Sequence, residues 1–509
     1  MDISDERKIG TLCALVADLG EGGGVMSPSV YDTAQVLRYC PPAEGVESIL
    51  HWLASSQLPD GGWGNKVRSC VRDIPTIAAL LAFATYPEFS KSKTVIDAGL
   101  KFLEQHHDEW AEIVPEDLPV GVELILPKLL SDAKQFDLLI PSKNYQNLFP
   151  IYERKISFIR SMPFDKSAAP SYSWEAWGES ADKKWLDEIT GSLGHSPTAT
   201  AYWVHLAKEY PNLQGERERA IAYLASASKM TGGGFIPGLY PTAWPLRRFE
   251  QAFSLHALLI ADLLNMDGLK VVVKKQLDDL KKGVQPTGIG FSDHFITDGD
   301  DTAAAAAVFC ALDEPLDRKV LDYYAYKDHY RSYIGELQAS HSVTARAIFA
   351  LRAYGVDLVD AEKYLLSHQL STGAWPGDKW NISEYYGTCL ATFALKDRVD
   401  LYRVELTNAA TFLVDSQLAA GGWGLSGMSN STDTACALLA LYPLINAGLV
   451  KPEIFLSGQK WLKSRYEDQG FEIERRWLNK QEFSPYRIDQ VFQLAAMLAV
   501  PEKVLMGVV

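Results

Sequence analysis

A short turn built on glycine and one aromatic residue recurs along this chain, and it constrains the fold more than any other feature. The clearest copies are Gln57-Leu58-Pro59-Asp60-Gly61-Gly62-Trp63-Gly64, Gln369-Leu370-Ser371-Thr372-Gly373-Ala374-Trp375 and Gln417-Leu418-Ala419-Ala420-Gly421-Gly422-Trp423-Gly424. Looser copies are Gly232-Gly233-Gly234-Phe235, Gly288-Ile289-Gly290-Phe291 and Gln469-Gly470-Phe471. Several are followed by a polar cap and a helix of small residues. Asp32-Thr33-Ala34, Asp301-Thr302-Ala303 and Asp433-Thr434-Ala435 are versions of that cap, and Ser196-Pro197-Thr198-Ala199-Thr200 and Ser342-Val343-Thr344-Ala345 are variants. This pattern predicts a helical-hairpin repeat. Asp or Ser satisfies the free amides at the start of an inner helix, small residues let inner helices pack closely, glycines turn the chain, and the Trp pins one hairpin to the next. Repeats on this scale build arrays or closed toroids.

The runs 76–83 and 252–260 are apolar nearly all round, which marks helices buried on most faces. Alternating Val- and Ile-rich stretches are scarce, so no sheet is expected. With 509 residues, nearly half of them apolar, the chain can bury more than one core. The expected fold is therefore all-α, with two α/α barrels and a weak boundary at 230–240, where glycines and prolines cluster. A net charge of −15 argues against nucleic acid and anionic membrane surfaces as partners. The longest apolar run, 303–312, is too short to span a bilayer. The acidic start Met1-Asp2-Ile3-Ser4-Asp5-Glu6 is no secretory signal. The six scattered cysteines form no C-x-x-C pair. A cytoplasmic location is expected.

Asp298-Gly299-Asp300-Asp301-Thr302 opens the alanine-rich run 303–312. One carboxylate would suffice to cap a helix. Three within four residues crowd like charges, which raises the pKa of at least one and can keep it protonated. Asp298 and Asp301 can hold the proton of Asp300 in a defined direction. An acid aimed into an apolar barrel, with water excluded and π faces nearby, suits protonation of an alkene or epoxide.

These segments together resemble one family, the class II terpene cyclases, and within it the diterpene cyclases. Asp298-Gly299-Asp300-Asp301 is similar to their D-x-D-D signature, and the Gln…Gly-Trp turns to their QW repeats. Ser29-Val30-Tyr31-Asp32-Thr33-Ala34 resembles their S-A-Y-D-T-A segment. Gly191-Ser192-Leu193-Gly194-His195-Ser196-Pro197-Thr198-Ala199-Thr200 resembles G-S-x-x-x-S-P-x-A-T-A, and Trp477-Leu478-Asn479-Lys480-Gln481-Glu482-Phe483-Ser484-Pro485 resembles W-x-G-K-x-x-Y-x-P. The matches run in the family order over nearly the whole chain.

The resemblance implies a βγ didomain: a β-type barrel from 1–21 plus 232–509, and an inserted γ-type barrel from 22–231. It implies Asp300 as general acid, supported by Asp298 and Asp301. The implied reaction is cyclisation of geranylgeranyl diphosphate to a bicyclic labdane-, halimane- or clerodane-type diphosphate with the diphosphate retained, assisted by Mg2+. Lys480 matches a family lysine and is a candidate for the diphosphate; Arg475, Arg476 and Lys379 are further candidates, with solvated surface charge as the alternative reading. Arg247 and Arg248 read as solvated charges. Phe291, Trp375, Tyr385 and Tyr386, with Trp244, are candidates for cavity walls, packing being the alternative for aromatics at such turns. A homodimer, and a downstream class I synthase or phosphatase, are admitted as partners.

The chain departs from the family in two places. Gly299 stands where Ile or Val is usual, which suggests a looser loop. The His–Asn pair of plant ent-copalyl diphosphate synthases falls near Arg160 and Gly238, so the ent-copalyl outcome is not expected. No D-D-x-x-D with a partner motif is present, and no length remains for a class I domain, so diphosphate ionisation is not expected; a larger bifunctional protein containing this chain stays open. Four rivals remain at this stage. They are a farnesyl diphosphate (drimane-type) or squalene-type cyclase, a zinc-dependent protein prenyltransferase β subunit using Asp433 and Cys436, an inverting toroid glycosidase, and a noncatalytic toroid. Asp32, Asp60 and Asp433 read as caps or turn residues, and His195 as a satisfied interior histidine.

Overall fold

The computed structural model describes residues 3–65, 69–106, 110, 121–141, 143–232, 236–334, 336 and 338–505. Six helices close a ring: Arg247–Ile260, Gly299–Ala311, His341–Ala353, Glu384–Leu395, Ser431–Asn446 and Tyr486–Leu498 each pack on the next, and the last packs on the first. Around them lie Lys270–Leu280, the 3-10 segment Arg318–Tyr324, Val359–Ser367, Arg403–Asp415, Pro452–Gln469 and, from the far end of the sequence, Ile3–Ala17. A smaller ring is closed by Val30–Tyr39, Asp73–Thr85, Val122–Gln135, the 3-10 segment Ala169–Ala176 and Pro197–Ala207. Each ring has its own apolar core. Only two short antiparallel pairs of strands occur among the described residues. No helix among them is long and apolar enough to cross a membrane.

The repeated turn works as a three-point staple. In each clear copy the Gln amide donates both to its own turn and to a neighbouring outer helix: Gln57 to Gly61 O and Val95 O, Gln369 to Gly373 O and Glu405 O, Gln417 to Gly421 O and Ile454 O. The indole N–H of Trp63, Trp375 and Trp423 donates to the carbonyl of Leu53, Leu365 and Leu413, closing off the helix before the turn. The backbone N–H of each Trp donates to a threonine near the start of the inner helix that follows, Thr76, Thr388 or Thr434. Gly61 and Gly373 have φ of 93°. A Cβ there would lie 2.2 Å from a carbonyl oxygen of the next outer helix, so only glycine permits the approach. Of the looser turn at 232–235, Gly233, Gly234 and Phe235 lie outside the described residues.

The caps differ in detail from expectation. In the D-T-A helices the Asp is not the N-cap; it stands three residues inside it. Ser29, Asp298 and Asn430 cap, and accept from the amides of Asp32, of Asp300 and Asp301, and of Asp433. Ser340, not Ser342, caps the variant at His341–Ala353, whereas Ser196 caps Pro197–Ala207. A side-chain oxygen at the N-cap reaches the N2 or N3 amide and no further, so the Asp at N3 is released for other partners. Asp60 is a turn residue: it accepts from Gly62 N at 3.1 Å and pairs with Arg72.

The hairpin Trp477–Leu478/Glu482–Phe483 joins the two rings. Trp477 belongs to the core of the large ring and Leu478 to that of the small one. Gln481 accepts from Tyr31 N at 2.8 Å, and Ser27 and Ser484 exchange hydrogen bonds beside it.

Candidate active site

The acid cluster sits at the N-terminal mouth of the large ring. Asp298 Oδ1 accepts from the amides of Asp300 (3.0 Å) and Asp301 (2.8 Å), while its own N–H donates to Ile289 O, clipping the loop to the preceding glycine turn. Gly299 does not loosen this loop. Its N–H donates to Ser332 O, and a Cβ would lie 2.3 Å from Arg331 O and 2.9 Å from the Tyr324 ring. The glycine is there because another segment passes too close for any side chain.

The three carboxyls are not equivalent. Asp298 and Asp301 are sealed from solvent, whereas the Asp300 side chain keeps 13 % exposure. Burial, then the charge of Asp298, pushes the Asp301 carboxyl far above its ordinary range, and one of its oxygens has no partner. Burial also raises Asp298. Asp300 is raised by burial as well, against the pull of Arg346. A cluster that cannot ionise fully keeps a proton available near neutrality.

Arg346 was not foreseen from the sequence. Its guanidinium is buried, contacts Asp300 and the Tyr386 hydroxyl, and lies 4.4 Å over the Phe253 ring. The available signal was its position: a charge within the otherwise apolar or small stripe Val343-Thr344-Ala345-Arg346-Ala347-Ile348-Phe349 of an inner helix.

Tyr386 connects the acid to a cavity. Asn381, Ser383, Tyr386, Cys436, Arg476, Trp477, Asp489 and Phe492 are among the walls of a small pocket of about 10 Å³, room for about one water molecule. The Tyr386 and Trp477 rings meet at 5.2 Å. Of the other aromatic candidates, Trp375 is used in its staple and Tyr385 stacks at 5.5 Å on Phe412 of an outer helix; both lie outside this cavity wall. Phe291 packs on Phe295 and His195 between the rings. His195 is hydrogen-bonded through both nitrogens, to Ser192 and Ser292, and burial depresses it to about 3, so it is a neutral link between the rings.

The basic candidates are mostly paired inside the protein. Lys480 is buried on Glu175 and Ser196, each at 2.7 Å. Lys379 pairs with Glu336 and donates to Gln338 O. Arg476 grips Asp433 through Nε and Nη2. Arg247 and Arg248 share Asp279, so they are bound charges and not free ones. Arg475 has no ion-pair partner among the described residues, and its carbonyl takes Asn65 Nδ2 across the two rings.

Residues 303–484 match the model of the squalene-hopene cyclase C-terminal domain. The chain is 40% identical over 510 residues to a (+)-kolavenyl diphosphate synthase of Herpetosiphon aurantiacus, with 97% of each chain covered. It is 27% identical to a terpentedienyl-diphosphate synthase of Kitasatospora griseola, covering 91% of this chain and 95% of that one. Its fold matches the ent-copalyl diphosphate synthase of Streptomyces platensis with a TM-score of 0.78 over 97% of this chain and 99% of that one, at 23% identity. Two helical rings with an acidic triad at one mouth define a protonation-type terpene cyclase. The chain belongs to the class II diterpene cyclases.

Proposed function

We propose that this enzyme protonates geranylgeranyl diphosphate at the alkene farthest from the diphosphate and closes it to a bicyclic labdane-, halimane- or clerodane-type diphosphate. The observation that carries the reading is the asymmetry of the triad: Asp300 alone is open, beside Arg346, while Asp298 and Asp301 are sealed behind it. Asp300 gives its proton to the terminal alkene carbon. The π pair forms the new C–H bond, and the tertiary cation is attacked by the next alkene. Arg346 then faces the carboxylate left behind and stabilises it, so it lowers the barrier in the transition state more than in the ground state. The kolavenyl and terpentedienyl diphosphate synthases among the relatives support this choice of reaction.

The proposal extends to the parts. Residues 1–21 with 232–509 form the β-type unit and 22–231 the inserted γ-type unit, a division supported by the two closed rings. Arg475 is the diphosphate ligand best placed by charge. Lys480 would join it only by exchanging Glu175 for phosphate oxygens, since a buried lysine stays paired. Among the described residues no group of three His, Cys, Asp or Glu side chains is set to hold a metal. A magnesium ion would therefore ride on diphosphate oxygens and water. A cytoplasmic enzyme, a homodimer, and a class I synthase or phosphatase acting on the retained diphosphate complete the reading.

The test is incubation of the purified protein with Mg2+ and, separately, geranylgeranyl and farnesyl diphosphate, followed by phosphatase and mass spectrometry. A C20 bicyclic alcohol absent from Asp300→Asn supports the reading. A product from farnesyl diphosphate alone replaces the substrate, and no cyclic product from either removes the reaction.

A further inference from the structure

The reaction proposed above retains its diphosphate and is an isomerisation, so the proton taken up at the first carbon must be matched by one released from the last cation. The cavity therefore needs an acceptor, and this inference rests on that reading. Most polar groups on the cavity wall are already bonded. Asn381 Oδ1 accepts from Ser383 N, Ser383 Oγ donates to Asp433, Arg476 is held by Asp433, and the Tyr386 hydroxyl is held by Arg346. Asp489 is different. Its Oδ1 accepts the indole N–H of Trp477 at 2.9 Å, while its Oδ2 is buried with no partner. The residue is only 4% exposed.

Its place in the ring suits the task. Asp489 lies in the first turn of Tyr486–Leu498, across the ring from the helix that carries Arg346. The rings of Tyr386, Trp477 and Phe492 share its part of the cavity wall, and π faces there favour a cation beside it. We propose that Asp489 is the base that ends the cascade. Its Oδ2 takes a proton from the carbon next to the last cationic centre, the C–H electron pair becomes the new alkene, and the proton passes on to water before the next turnover. Burial pushes this carboxyl up to about 8, against the Trp477 hydrogen bond and the charge of Arg476, with the Cys436 thiol also facing it. A group that titrates close to working pH can both accept and release a proton.

The experiment compares wild type, Asp489→Asn and Asp489→Glu on geranylgeranyl diphosphate, with dephosphorylated products identified by mass spectrometry and NMR, and folding checked by circular dichroism. Asparagine keeps an acceptor for Trp477 but cannot take the proton. The expected result is continued substrate consumption, slowed about 100-fold, with a different alkene isomer or a water-captured hydroxylated diphosphate replacing the wild-type product. The Glu variant should restore part of the wild-type alkene. A folded Asn variant that makes the wild-type alkene alone overturns the proposal, and so does a folded one inert to substrate, because protonation by Asp300 should persist. If the Asn variant does not fold, Asp489→Glu and Trp477→Phe decide: wild-type product alone from both contradicts the role. A wild-type enzyme that yields no cyclic diphosphate fails the reading of Asp300 as well, and is thereby distinguished.

Discussion

The helices Val30–Tyr39 and Gly299–Ala311 begin alike and end up doing different things. Each opens a ring helix with a capping side chain, an aspartate at N3 and a threonine after it that bonds to another segment's backbone: Ser29, Asp32 and Thr33 in the small ring, Asp298, Asp301 and Thr302 in the large one. Asp32 receives the hydroxyls of Ser29 and Thr198, both at 2.7 Å, in a network with Tyr31, Glu175 and Lys480. Asp433, at the same position in a third helix, receives Arg476. Asp301 has the carboxyls of Asp298 and Asp300 near it, with the charge of Arg346 opposing them. Reactivity at one mouth thus comes less from a special local motif than from what surrounds it: hydroxyls and an ammonium at one mouth, crowded carboxyls facing the Arg346 guanidinium at the other. The extra acidic residue at N2, Asp300, is the one left open.

The largest effect should come from Asp300→Asn, which removes the proton but keeps the shape. Turnover should fall about 10³-fold or more with an unchanged melting temperature; near-normal turnover would mean that the two mouths do not differ in chemistry. Next, Arg476→Met strands the buried charge of Asp433. A loss of about 3–5 kcal/mol in denaturant unfolding is expected, and a loss under 1 kcal/mol would show that the third helix does not depend on its arginine.

Arg346→Met should lower turnover about tenfold to 100-fold. It should also move the alkaline limb of the kcat–pH profile upward, because removing a cation raises the carboxyl it faces; a limb that stays put would separate Arg346 from the acid. Stability should follow pH as well. Asp301, Asp489 and Glu482 are all raised in the folded state by burial, Glu482 to about 7 and Asp489 to about 8. Their contribution is whole below the ordinary carboxylate range and is lost as pH rises through the folded values. Melting temperature should fall between pH 5 and pH 8.5 by calorimetry, and Asp489→Asn should flatten the slope. The smallest effect belongs to Ser29→Ala, which removes a cap and one of the hydroxyls on Asp32 and should cost about 1–2 kcal/mol with turnover intact.

Much of this was legible in the residues. The Gln…Gly-Trp turns specify the hairpins because each part of the motif makes a local bond, and the acidic quartet stands out because charge crowding is visible in any linear string. What was hidden depends on distant partners. Lys480 reads as a free cation until Glu175, 305 residues away, is brought to it. Arg346 and Asp300 lie on neighbouring inner helices, and only the ring closure makes them a pair. Tyr385 and Tyr386 are adjacent in sequence, yet the helix turns one outward onto Phe412 and the other into the cavity.

Protonation by the open aspartate is tested most directly by running the reaction on geranylgeranyl diphosphate in D2O and locating the isotope by NMR. The account predicts one deuterium bonded to the carbon of the first ring that was the terminal alkene, with the diphosphate retained and the label lost along with the product in Asp300→Asn. A cyclic product without deuterium at that carbon, or one formed equally well by the variant, would contradict it.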